Sequence, residues 1–297
     1  HSRRKNLLAQ NRRLIKYMLP VLFELGKLKI YSYGLMLALG FIVGGYLYRR
    51  ELKRYGISPD LGDWIVMSAL IGGIFGAKIY SVIEGFKELG VASLKDFFSG
   101  AGLVWYGGLI GGTIAVIIIM RLKHAPMMQC LDIIAPLLIL GYAFGRMGCF
   151  LSGDGDYGPP SDLPWAMAFP NGTVPTLVKV HPTPLYEIIF CLAIFAFLWR
   201  IRKRNLHIGW MFGMYLILSG VERFITEFWR LTQKVLFNSI SMAQIIGIFV
   251  IIIGVILVLY SKNTPINLPL SVSDEPASKS KTQPKNQNAK GKGKKTR

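Results

Sequence analysis

Seven apolar blocks separated by polar or basic stretches constrain this chain more than any other feature. They run over about 30–48, 64–83, 102–120, 131–151, 184–199, 209–228 and 240–260. A helix needs roughly 20 apolar residues to cross a bilayer, and hydrocarbon offers its backbone no outside hydrogen-bond partner. The blocks therefore predict an all-α fold, a polytopic membrane helix bundle of about seven transmembrane helices. Composition agrees: 52% of the 297 residues are hydrophobic, a surplus that a domain with a water-facing surface does not need. Gly72 with Gly76, and Gly107 with Gly111, are spaced for close helix approach in lipid and predict packing faces. No repeat of fixed period and no matched pair of broken helices is visible, which argues against an inverted-repeat transporter.

The net charge of +19 raises the question of nucleic acid. The Lys and Arg side chains, however, sit between apolar blocks and in a tail, a pattern of membrane topology and of attraction to anionic headgroups. Membrane lipids are expected partners, and nucleic acid is not. Arg49, Arg50, Lys53 and Arg54 follow the first block, Arg121 and Lys123 the third, and Arg200, Arg202, Lys203 and Arg204 the fifth. The alternate loops are poorer, with Lys87, Lys95, Lys179, Arg230 and Lys234. The positive-inside rule places the richer loops and the C-terminus in the cytoplasm, and the N-terminus outside. The basic start of the chain, with Arg3, Arg4, Lys5, Arg12, Arg13 and Lys16, runs against that rule. Residues 10–26 read as an amphipathic segment lying on the membrane surface.

Three regions follow: a basic amphipathic N-terminal segment (1–29), a membrane domain (30–261) and a disordered basic tail (262–297). The tail has too few large apolar side chains to fold. No apolar core with a small-residue cleavage site precedes the first block, so a cleaved signal peptide is not expected. Cys130, Cys149 and Cys191 form no CxxC pair, so neither a disulfide framework nor a zinc site is expected, and Cys130 and Cys191 read as small buried hydrophobes.

Ionisable side chains near the centre of a membrane helix cost at least about 2.5–3.5 kcal/mol each and need a reason. Here they are Lys78, Glu84, Asp132, Arg146, Glu187, Glu222, Arg223, Glu227 and Arg230. Arg223, Glu227 and Arg230 are spaced to share one helix face. They either neutralise one another or frame a phosphate, which a planar guanidinium fork suits. Arg146 opens the run Gly145–Gly158, whose glycines leave backbone free to approach a bound anion. His181, just before block five, is either a helix-start residue bonded to a loop carbonyl or a group able to take a proton from a thiol.

Six stretches, in order, carry a resemblance. Tyr33-Gly34-Leu35-Met36 is similar to YGLM, and Tyr106-Gly107-Gly108-Leu109-Ile110-Gly111 to HGGLIG. Gly145–Gly158 is similar to GRxGNFxNxExxG, His181–Glu187 to HPSQLYE, Arg223–Arg230 to FRxxxEFFR, and Ile240–Gln244 to ISMGQ. Together they resemble the prolipoprotein diacylglyceryl transferase (Lgt) family over about 31–258. The resemblance implies a seven-span enzyme of the bacterial inner membrane with its site open to the outer side. It implies transfer of a diacylglyceryl group from phosphatidylglycerol to the lipobox cysteine of a prolipoprotein signal peptide, the first step of lipoprotein maturation, with release of glycerol phosphate. No metal or organic cofactor is implied. Carried over, Arg146 and Arg223 are phosphate clamps, Glu227 orients Arg223, and Tyr33 helps hold the headgroup. Lys78 (where many members have Arg), Gly148, Asp154, Asp156, Gly158 and Arg230 complete the expected lipid site.

Departures fall on other positions. The family histidine before GGLIG is Tyr106, whose phenol is a poor base at an ordinary pKa of about 10. The signature Asn positions are Cys149 and Ser152, and with one extra residue in the run the acidic position is either Asp154 or Asp156. The base is then His181, or the thiol loses its proton without a dedicated one. Two other readings remain at this level: a divergent member that binds phospholipid but modifies another acceptor, and a transporter for an anionic solute built on Arg146 and Arg223.

Overall fold

A computed structural model describes residues 20–25, 28–89, 105–232, 234–236, 239–263 and 266–267. Most of the expected N-terminal segment, including Arg3 to Lys16, the loop bearing Lys95 and nearly all of the expected tail lie outside the described residues. Among these residues seven α-helices follow one another: α1 (Ser32–Arg54), α2 (Pro59–Leu89), α3 (Trp105–Leu122), α4 (Met127–Ser152), α5 (Thr183–Ile201), α6 (Trp210–Thr226) and α7 (Met242–Ser261). Each falls on one apolar block. Short antiparallel strand pairs, not anticipated from the sequence, sit at helix ends: β1 (Val21–Leu25) with β2 (Leu28–Tyr31), β3 (Met167–Phe169) with β4 (Thr176–Val180), β5 (Leu206–His207) with β8 (Ile266–Asn267), and β6 (Lys234–Leu236) with β7 (Ile240–Ser241). The described end of the N-terminal segment thus enters a hairpin.

By length and composition α2, α4, α5 and α7 are able to cross a membrane, and α3 is a slightly shorter apolar helix. Half of the apolar stretch of α4 is buried, against 11% in α2 and 17% in α7. α4 is therefore the central helix, while α2 and α7 turn most of their apolar side chains outward, as lipid permits. Two clusters meet on α4. Tyr48 and Leu52 of α1 and Met120 of α3 pack with Cys130, Ile133 and Leu137. On the other side Ala135, Ile139 and Ala143 pack with Cys191 and Leu198 of α5 and Met211 of α6. Cys130 and Cys191 are the buried small hydrophobes expected of them.

Glycine faces join two helix pairs. A Cβ on Gly76 would lie 2.7 Å from the Gly111 Cα, so α2 and α3 touch backbone to backbone at the predicted faces. The α6–α7 pair uses the same device without having been anticipated: a Cβ on Gly254 would meet the Gly213 carbonyl oxygen at 2.7 Å, and one on Gly220 the Gly247 oxygen at 2.8 Å.

Polar side chains close the helix ends. Asp132 accepts from the Gly209 and Phe212 amides at 2.6 and 2.8 Å, capping the start of α6. Glu51 pairs with Arg54 at 2.7 Å and Arg202 at 3.3 Å, tying α1 to the end of α5. At the opposite end Ser241 and Gln244 form a reciprocal capping box for α7. Gln244 also donates to the Phe224 carbonyl at 3.5 Å. The ISMGQ-like stretch is thus a helix start locked onto α6. Replacing Gly76 with Val should cost about 1–3 kcal/mol by overpacking the α2–α3 contact, seen as a lower unfolding temperature in detergent, whereas Gly34→Ala, where a Cβ meets nothing within 4 Å among the described residues, should leave it in place.

Candidate functional site

Charged side chains from α4, the loop after it, α5 and the end of α6 converge at one end of the bundle. Glu187 of α5 is the hub. Its Oε2 lies 2.7 Å from Arg146 Nε, and its Oε1 accepts from Arg223 Nη1 at 3.2 Å and Arg230 Nη1 at 3.1 Å. Asp156, from the loop, bridges a different pair: Oδ2 takes Arg146 Nη1 at 2.5 Å and Oδ1 takes Arg230 Nη2. Glu227 Oε2 lies 3.2 Å from Arg223 Nη2 and 4.0 Å from Arg230 Nε, while its Oε1 accepts the Thr232 hydroxyl. The Arg146 guanidinium rests over the Tyr142 ring, one turn back on α4, at 4.9 Å.

Local structure delivers these groups. The sequence spacing put Arg223, Glu227 and Arg230 on one face, and the chain keeps them together by tightening into a 3-10 turn over Glu227–Trp229 as α6 ends. Thr226 and Glu222 are buried on the same stretch, and the Glu222 Oε1 has no hydrogen-bond partner among the described residues. After α4 the chain reverses through Gly153 at φ +60° and Gly155 at φ +97°, left-handed conformations that glycine adopts without strain. Asp154 Oδ1 accepts the Asp156 amide at 3.2 Å, and the Thr183 hydroxyl donates to the Asp156 carbonyl, so the loop presents Asp156 to the arginines.

The rest of the loop is a small folded cap. Tyr157 stacks on Phe169 with centroids 4.0 Å apart, Phe150 meets Phe169 edge-on, and Val180 closes the cluster. Burial pushes the Tyr157 phenol up to about 12, and its hydroxyl donates to the Val174 carbonyl at 3.1 Å. Gly158 donates to the His181 carbonyl at 2.9 Å. A Cβ there would lie 2.7 Å from the His181 Cβ and would also strike the Trp229 carbonyl. Gly158 is thus needed for packing.

The structure therefore gathers Arg146, Asp156, Arg223, Glu227 and Arg230 into one network, in which Asp156 carries ion pairs and Asp154 shapes the turn. Gly148 lets α1 sit against α4, with a Cβ meeting the Tyr33 ring at 2.9 Å. This places Tyr33 beside Cys149, whose thiol lies 3.8 Å from Arg146 Nη1. Cys149 Sγ and oxygens of Asp154 and Asp156 lie within 4.8 Å of one another, close enough for one cation to bridge, although Asp156 already serves two arginines. His181 bonds through its backbone amide to the Pro159 carbonyl at 3.1 Å, and through Nδ1 to the Tyr186 hydroxyl at 3.0 Å. That hydroxyl also accepts from Trp165 at 2.8 Å. Lys78 and Tyr106 lie on the α2–α3 pair, Lys78 buried and Tyr106 half exposed. The residue that sequence reasoning left outside the site is Glu187. Its signal was present, as the one carboxylate, at the end of the HPSQLYE-like helix start, but not its arginine partners.

These features define a multi-pass membrane protein with a charge network built into one end of its helix bundle. The sequence model described as prolipoprotein diacylglyceryl transferase matches residues 20–260. The chain is 39% identical over 242 residues to the phosphatidylglycerol–prolipoprotein diacylglyceryl transferase of Clostridium tetani, covering 80% of this chain and 96% of that protein. It is 34% identical over 256 residues to the enzyme of the same name from Chromohalobacter salexigens, covering 84% and 94%, and 33% identical over 253 residues to that of Oceanobacillus iheyensis, covering 82% and 88%. The chain belongs to the prolipoprotein diacylglyceryl transferase family.

Glu187 touches all three arginines from a fully buried position. Removing one partner of a buried ion pair costs about 3–5 kcal/mol. Glu187→Gln should accordingly lower the unfolding temperature in detergent far more than Asp156→Asn, whose side chain is 31% exposed; equal effects would remove Glu187 from the centre of the network.

Proposed function

We propose that this chain transfers the diacylglyceryl group of phosphatidylglycerol to the lipobox cysteine thiol of a prolipoprotein, releasing glycerol phosphate. The observation that carries the reading is the convergence of Arg146, Arg223 and Arg230 at one end of the bundle, in the motifs that mark the family. In the reaction the acceptor thiolate forms a bond to the glyceryl carbon as the carbon–oxygen bond to phosphate breaks. Negative charge grows on the departing phosphate ester. Fixed guanidinium groups beside that ester lower the barrier because their orientation is set in advance. Arg146 and Arg223 are the phosphate ligands, with Arg230 beside them. Glu227 and Glu187 hold the guanidinium planes, which a flexible surface arginine would not keep. Tyr33 and the Gly148 contact border the headgroup, with Asp154, Asp156 and Gly158 shaping the loop over it and Lys78 farther out on α2.

The displacement changes no oxidation state, so no redox cofactor is assigned. Proton removal from the thiol falls to His181, whose Nδ1 is held by Tyr186, or to solvent. Tyr106 holds the position of the family histidine without its basicity. The protein sits in the bacterial inner membrane with the network on the outer side, the N-terminus outside and the tail (262–297) in the cytoplasm. The basic loops after α1, α3 and α5 support this orientation.

The test is product detection with purified protein, phosphatidylglycerol and a lipobox peptide in detergent. Wild type should lipidate the peptide, and Arg146→Lys and Arg223→Lys should each lose about 10²-fold or more, because an ammonium does not reproduce the guanidinium fork. Phosphatidylglycerol binding without product would redirect the reading to another acceptor. Solute flux in proteoliposomes, with neither lipid binding nor product, would replace it with a transporter.

A further inference from the structure

The arginines are already paired with carboxylates before any substrate arrives. Three guanidinium groups, Arg146, Arg223 and Arg230, face three carboxylates, Asp156, Glu187 and Glu227. A phosphodiester entering such a site adds a negative charge where water is scarce and unbalanced charge is costly. One anion must therefore give way. Burial separates the candidates: the Glu187 and Glu227 side chains are 1% and 0% exposed, whereas Asp156 is 31% exposed.

Geometry selects the same residue. Asp156 sets one oxygen on Arg146 and the other on Arg230. A phosphodiester likewise offers two anionic oxygens on a single central atom, suited to two guanidinium forks. When that bridge is withdrawn, Arg146 and Arg230 each keep Glu187 and stay in place. The backbone of Asp156 is held by the Thr183 hydroxyl and by Asp154, so its side chain can turn toward water without unfolding the loop.

We propose that Asp156 is a resident stand-in for the substrate phosphate, and that headgroup binding is an exchange of this carboxylate for the phosphodiester on Arg146 and Arg230. The proposal rests on the reading of Arg146 as a phosphate ligand and extends it to its neighbour Arg230. It gives Asp156 a specificity role. A small anion that offers no more than a carboxylate does not displace it, whereas a phosphodiester whose attached glycerol groups reach further contacts does. Asp156 also spares the empty site the cost of bare guanidinium groups.

The test measures binding of short-chain phosphatidylglycerol and of glycerol 1-phosphate to the full chain in detergent. Asp156→Asn keeps the shape and removes the charge. It should tighten both ligands by about tenfold and lower KM for the short-chain lipid in parallel, the size expected for one lost competing charge pair. Asp156→Glu, which restores the charge, should return toward wild-type affinity. Unchanged or weaker binding by an Asp156→Asn protein with a wild-type unfolding profile overturns the proposal. If that variant is unstable, Asp156→Ser takes its place under the same criterion. Arg146→Lys and Arg223→Lys separate the two levels of inference: if they too leave lipid binding unchanged, it is the phosphate reading that has failed.

Discussion

A buried charge in a membrane protein must be neutralised nearby, and this requirement shapes one whole end of the molecule. Three arginines in or beside the spans would be untenable singly. Glu187 makes them tenable because its two oxygens reach all three guanidinium groups from a buried position. The loop after α4, the 3-10 turn after α6 and the start of α5 all have to arrive at fixed positions for these pairs to close. Precision at the site is therefore a consequence of electrostatic necessity as much as of packing.

The scaffold that supplies those positions is held by close backbone contact. Glycine faces between α2 and α3 and between α6 and α7 replace the hydrophobic drive that lipid removes. α4 stands between two clusters and carries Arg146 at its far end. The aromatic cap of Tyr157, Phe169 and Phe150 gives the reversal at Gly153 something to rest on. Without it Asp156 would be a mobile loop carboxylate, unable to stay on two arginines.

The departures from the family pattern acquire places in this frame. Cys149 lies against Arg146 at the position of a family amide, and Ser152 is spent on closing α4, where its hydroxyl donates to the Cys149 carbonyl at 3.1 Å. Tyr106 stands at the start of α3. The arginines of the motifs are thus intact in a chain whose amide and histidine positions have changed.

Periodicity and hydropathy alone placed the seven helices, because a bilayer-spanning helix must be both long and apolar, and they placed the α2–α3 glycine contact, because small residues four apart lie on one face. Residue type singled out the arginines, since charge inside a span is too costly to be incidental. Local spacing joined Arg223, Glu227 and Arg230. What spacing does not reach is contact between segments far apart in the chain. The pairing of Glu187 with Arg146, 41 positions away in sequence, the choice of Asp156 over Asp154, and the capping of α6 by Asp132 all depend on how helices are set against one another. Those were decided by the tertiary structure, which alone brings distant carboxylates to the arginines that must be neutralised.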